Sequence, residues 1–154
     1  MLDKYHYTES GLDNVWLHGG VELVDHPSGM QVRIRDIEGL HKVIGKVLTE
    51  KKGSLNGKEL RFLRQEMLLS QANLAKLLQV TEQTVHRWET AKADIPKPAE
   101  SLIRFMYMQQ FEQGKDFDVR GTLQRLADLE DEMDGLEFAM SKNKQQWLQQ
   151  KQAA

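Results

Sequence analysis

Apolar and polar positions change rhythm along the chain, and each rhythm predicts a different element. Residues 12–37 read as strands. Val15-Trp16-Leu17 is a short β-type run closed by Gly19-Gly20, and Val21-Glu22-Leu23-Val24 follows it. Across the turn-rich Asp25-His26-Pro27-Ser28-Gly29, Gln31-Val32-Arg33-Ile34-Arg35 alternates at period two. Two such runs flanking a Pro/Gly turn predict a hairpin. Leu40, Val43, Ile44, Val47 and Leu48 then recur at helical spacing and predict an amphipathic helix from about Ile37 to Lys51.

From Asn56 to Phe111 the pattern is helical throughout, with start signals at short intervals. Asn56 and Glu59 form a capping-box pair ahead of Leu60, Leu63 and Met67. Ser70 caps a second helix carrying Leu74, Ala75 and Leu78, and Thr81 caps a third carrying Val85 and Trp88. Pro96 and Pro98 delimit a fourth, with Leu102, Ile103, Met106 and Tyr107 expected on its inner face. Helices this short need a common core, so a compact bundle is predicted. Beyond it, Leu123, Leu126, Leu129 and Met133 keep helical spacing up to Asp134-Gly135. Leu136, Phe138 and Met140 then alternate, and Trp147-Leu148 follows a polar stretch, which predicts a second hairpin. The rival is one long helix with a coiled-coil seam through Leu126, Leu129, Met133, Leu136 and Met140. Gly135 favours the hairpin, since glycine weakens a helix by about 1 kcal/mol.

The pattern therefore predicts an α+β chain in three segments. Residues 1–55 form a small strand–strand–helix module, 56–112 a helical bundle, and 113–154 a helix followed by a hairpin or coiled coil. At 154 residues the chain is long enough for one ordinary domain or two small ones. Its formal charge of −2 favours neither nucleic acid nor membrane, yet the charge is unevenly spread. Residues 58–104 carry 8 basic against 6 acidic side chains, whereas residues 105–141 carry 3 against 9. An acidic stretch must face away from phosphates or meet a partner. With 0 cysteines, disulfides and thiol nucleophiles are excluded. A polar start with Asp3 and Glu9, and no long apolar run, predict a cytoplasmic protein with no membrane span.

Ser70 to Glu89 carries the chemistry. Two helices crossing at a steep angle need a small residue where they touch, and Ala75 supplies it. With Leu74, Leu78, Val80, Val85 and Trp88 turned inward, the second helix keeps an outward row of Glu82, Gln83, Thr84, His86 and Arg87. Glutamine and arginine pair bidentately with base edges, and threonine and histidine contact phosphate or base. Trp88 is inward in this pattern and belongs to the core, while His86 fits either DNA contact or a solvated face. The run resembles the lambda-repressor-like (Xre/Cro) helix-turn-helix family over about residues 57–110. Leu69-Ser70-Gln71, Leu74-Ala75, Val80, Gln83-Thr84-Val85 and Arg87-Trp88-Glu89 stand in register. The resemblance implies a five-helix domain that reads DNA operators. By it, Gln71 opens the first helix and braces phosphate, and Gln83, Thr84 and Arg87 read or clamp DNA. The expected DNA-contacting set is thus Gln71, Glu82, Gln83, Thr84, His86, Arg87 and Lys92. One position departs: the turn between the helices usually holds a left-handed glycine, and here it is Gln79.

The segments Tyr5-His6-Tyr7, Ser10 to Leu17 and Gly39-Leu40-His41 are also similar to a bacterial subgroup of Xre-type regulators with a small N-terminal α/β module, some of whose relatives resemble antitoxins. Other chemistry is poorly served. His6, His18, His26 and His41 have no compact ligand spacing, so no metal and no cofactor are expected. Tyr5, Tyr7 and Trp16 fit a core beside short strands better than a ligand pocket. No Ser/His/Asp set or phosphate-binding glycine loop points to an enzyme. One reading helix makes few base contacts, so a dimeric repressor on a palindromic double-stranded operator is expected, its half-sites about 10 base pairs apart. The alternative is an antitoxin-type interaction protein whose acidic segment or N-terminal module neutralises a partner toxin.

Overall fold

The computed structural model describes residues 4–111, 136–142 and 145–150. In order, these form strand β1 (Tyr5–His6), a 3-10 turn (Thr8–Ser10), β2 (Val15–His18), β3 (Val21–His26), β4 (Gly29–Ile34), and helices α1 (Ile37–Glu50), α2 (Gly57–Glu66), α3 (Gln71–Leu78), α4 (Glu82–Glu89) and α5 (Lys97–Phe111). Strands β5 (Leu136–Met140) and β6 (Trp147–Gln149) follow. Both predicted hairpins are present: β3 pairs antiparallel with β4 around Pro27-Ser28, and β5 pairs antiparallel with β6. A coiled-coil seam running through Leu136 and Met140 is excluded by β5. The helix expected around Leu123 to Met133 lies outside the described residues. No helix among the described residues is long and apolar enough to cross a membrane.

Two compact units emerge, and the division falls within α1, after Ile44. The first combines the N-terminal strands with β5 and β6. Its four-stranded sheet runs β1-β2-β5-β6, with β2 and β5 parallel, and β3-β4 forms a separate ribbon. The C-terminal hairpin therefore joins the N-terminal sheet, where the sequence pattern places it in a module of its own. Val15, Leu17, Leu136 and Phe138 alternate onto one buried face, as period two requires. On the other, Trp16 stacks on His6 at 4.1 Å and takes the Lys4 ammonium over its ring at 4.9 Å. Tyr7 is buried and hydrogen-bonds His41 at 2.8 Å, and Tyr5 hydrogen-bonds Glu9.

The second unit is the helical bundle. Leu48, Leu60, Leu63, Leu74, Val85, Trp88 and Ile103 form its core. The Asn56–Glu59 capping box and the Ser70 and Thr81 N-caps are all formed. Expected inward, Leu102 is instead 50% exposed, and Met108 is buried in its place. The cause is a buried ion pair on the inner face of α5. Arg104 donates to Glu100 at 2.6 Å, to the Thr49 carbonyl at 3.2 Å, to that of Lys51 at 2.7 Å, and to that of Gly53. Glu100 in turn accepts the Leu55 N–H at 3.0 Å. This turns the 100–104–108 stripe inward and Leu102 outward, and it sets a cation at the carbonyl-rich end of α1.

Candidate nucleic-acid interface

Helices α3 and α4 pack together, and Leu74 and Ala75 of the one and Val85 and Trp88 of the other are buried. The turn between them is a Schellman motif. Val80 N–H donates to the Ala75 carbonyl at 2.9 Å and Gln79 N–H to that of Lys76 at 3.2 Å. Gln79 sits in the left-handed region at φ 58°, so glutamine occupies the conformation that favours glycine. The same bonding ends α2 at Leu68 (φ 57°) and α4 at Ala91 (φ 59°). Each of these three helices thus stops on a left-handed residue that is not glycine. Space is tight elsewhere: a Cβ on Gly57 would come within 2.6 Å of the Glu89 carbonyl oxygen, so α2 begins directly against the end of α4.

A buried polar network fixes these helices to one another. Arg64 on α2 donates through Nε to Glu89 Oε2 at 2.7 Å and through Nη2 to Oε1 at 2.9 Å. Its Nη1 reaches the Leu69 carbonyl at 2.9 Å, and Gln71 Nε2 donates to Glu89 Oε1 at 3.2 Å. Both Arg64 and Glu89 are buried. One bidentate pair therefore ties α2, the loop into α3, the first turn of α3 and the end of α4. Neither residue belongs to the DNA-contacting set expected from spacing, although a signal for them is present. Arg64 lies among Leu60, Leu63 and Met67, and Glu89 follows the inward Trp88. Charges on an apolar stripe require a buried partner.

Around this frame the DNA-contacting candidates separate. Glu82, Gln83, His86 and Arg87 are all exposed, and Gln83, His86 and Arg87 share a face at i, i+3 and i+4. Thr84 is half-buried and drawn to the helix start, with its N–H on Thr81 Oγ1 at 3.1 Å and the two hydroxyls 2.7 Å apart. Gln71 is half-buried through its bond to Glu89, and its amide keeps a second N–H. Lys92 is exposed just beyond α4, its N–H on the Arg87 carbonyl at 2.9 Å. Trp88 is 4% exposed and belongs to the core.

A family model described as helix-turn-helix matches residues 60–99, from the first turns of α2 to the start of α5. No curated protein and no solved structure matches the chain. The match supports a DNA-binding transcriptional regulator, and it does not extend to the N-terminal unit. Residues 60–99 thus match the helix-turn-helix model over the stretch whose motifs resemble the lambda-repressor-like (Xre) family.

Proposed function

We propose that the protein is a sequence-specific transcriptional repressor that binds a palindromic operator as a dimer, with α4 in the major groove. The observation that carries this reading is the exposed row Glu82, Gln83, His86 and Arg87 on a helix held by the buried Arg64–Glu89 pair. Gln83 and Arg87 read base edges, with His86 and Glu82 beside them. Gln71, Thr84 and Lys92 hold phosphates, Gln71 through its remaining amide N–H. Each good bidentate base contact contributes about 1–3 kcal/mol of discrimination, so one helix falls short of operator specificity and two copies are required.

Selection from a random duplex pool tests this reading, with half-sites and their spacing read from the enriched sequences. Paired half-sites about 10 base pairs apart are expected. Arg87→Ala weakens binding, and Gln83→Ala relaxes base preference at one position of each half-site. Wild-type affinity and preference in both variants would refute the assigned reading face. With 8 basic against 6 acidic residues over 58–104, phosphate contacts are few. At about 4 to 6 per dimer, log K falls with log salt at a slope of roughly −4 to −5. A promoter reporter that rises when the protein is removed supports repression. The antitoxin-type alternative rests on the acidic composition of residues 105–141, and growth rescue from a neighbouring basic toxin would favour it.

A further inference from the structure

The N-terminal unit holds a cleft of about 510 Å³ where the parallel strands β2 and β5 both end. His18, Gly19 and Gly20 form one side, and Ala139 to Lys142 the other, with Arg35 between them. The volume lies within the range of about 300–1,000 Å³ typical of small-molecule sites. The carboxyl ends of parallel strands are also where open sheets commonly take ligands. Tyr5, Tyr7 and Trp16, the aromatics that stand out in the sequence, do not line it.

Among the described residues, Arg35 and Lys142 are the charged groups that line this cleft, His18 lines it as well, and no carboxylate does. Arg35 is held at both of its backbone groups: its N–H donates to the Gly20 carbonyl at 2.9 Å, and its carbonyl accepts Trp147 Nε1–H at 3.0 Å. One guanidinium nitrogen, Nη2, pairs with Glu22 at 2.7 Å outside the lining, and a guanidinium has five N–H donors in all. The His18 Nε2 atom is buried without a hydrogen-bond partner among the described residues, 3.6 Å from Glu137. Gly19 adopts φ +76°, and a Cβ there would meet nothing within 4 Å, so the backbone lies open to an approaching group. Ala139 and Met140 add an apolar wall.

We propose that this cleft binds a phosphate-bearing small molecule, with the phosphate against Arg35 and Lys142 and the remainder along Ala139 and Met140. An arginine and a lysine lining one cleft suit a group with three acceptor oxygens. The site is independent of the DNA-reading face and stands or falls separately from it.

The test is isothermal titration of the full-length protein with inorganic pyrophosphate and with glycerol 3-phosphate, ionic strength held constant with sodium chloride. Saturable binding of either probe is expected, with amide shifts centred on Gly19, Gly20 and the Trp147 indole. Removing one charge-assisted hydrogen bond weakens binding by about tenfold or more, so Arg35→Gln and Lys142→Gln should each bind that much less tightly. Glu22→Gln releases the Arg35 guanidinium and should tighten binding. Binding of pyrophosphate alone would place an inorganic phosphate in the site, and binding of the ester a phosphorylated metabolite. The proposal is overturned if neither probe saturates, or if binding is the same in wild type, Arg35→Gln and Lys142→Gln.

Discussion

Removing Arg64 is expected to cost the bundle more than removing Arg64 and Glu89 together. Arg64→Met takes away two bonds to Glu89 and one to the Leu69 carbonyl, and leaves a buried carboxylate with Gln71 as its remaining partner. Breaking a buried pair from one side costs about 3–5 kcal/mol, roughly a fifth or more of the stability of an ordinary domain. Glu89→Leu strands the guanidinium in the same way. The double variant Arg64→Met/Glu89→Leu leaves no buried charge at this position. What remains is an unpaired Leu69 carbonyl and a Gln71 amide that can turn to solvent, a cost of about 1–3 kcal/mol. Urea unfolding combined with hydrogen exchange at the α4 amides gives all three values in a double-mutant cycle. A double variant as costly as the two single ones added, or single variants costing under about 1 kcal/mol, would show that desolvated charge is not what holds α4 to α2.

Three further outcomes follow from the same bundle. Gln79→Gly removes left-handed strain of about 1–2 kcal/mol and adds back unfolded-chain entropy, so urea unfolding should show a net gain of about 0.5–1 kcal/mol with DNA affinity unchanged. Gly57→Ala drives a Cβ against the Trp88 and Glu89 carbonyls and should destabilise by about 1–3 kcal/mol, read as a lower urea midpoint. The Tyr107 hydroxyl is buried without a hydrogen-bond partner among the described residues, so Tyr107→Phe should gain about 1 kcal/mol at neutral pH in the same assay. Burial also pushes the Tyr107 phenol above its ordinary value of 10.0, so the fold keeps it protonated after the unfolded chain has released its proton. Stability is then full below about pH 10 and falls as the pH rises further, and Tyr107→Phe should flatten that fall in a pH series of melts.

What the sequence discloses and what it hides divide by the range of the forces involved. Helices α2, α3 and α4 are each marked by a capping residue and an apolar stripe, α1 by its stripe and α5 by Pro96 and Pro98, so α1 to α5 and the inward place of Trp88 are legible. The hairpin β5-β6 is legible for the same reason, since Leu136, Phe138 and Met140 alternate within five residues. The pairing of β2 with β5 is not. Val15 lies beside Leu136 with the whole helix-turn-helix between them in sequence, and a parallel ladder carries no local mark of its partner. The helix ends at Leu68, Gln79 and Ala91 are hidden differently. Glycine is the usual signal for a left-handed stop, and here backbone bonding imposes that conformation on residues that resist it.

The candidate site repeats this division. Its outward row can be read from spacing, because exposure on a short helix is a local property. Its rigidity cannot, because Arg64 and Glu89 are 25 residues apart, and although each stands on an apolar stripe that calls for a partner, nothing local to either names the other. The residues proposed to face DNA are therefore the easier half to find. In the proposed reading, those that hold α4 at one fixed angle to α2 and α3 decide whether Gln83 and Arg87 arrive at the groove together. A bidentate buried pair suits that task better than an apolar contact of similar size, since its two parallel hydrogen bonds constrain direction as well as distance. The Arg64→Met/Glu89→Leu variant can separate these roles: if it folds stably yet discriminates operator from random DNA less well than wild type, the pair acts in recognition by fixing orientation.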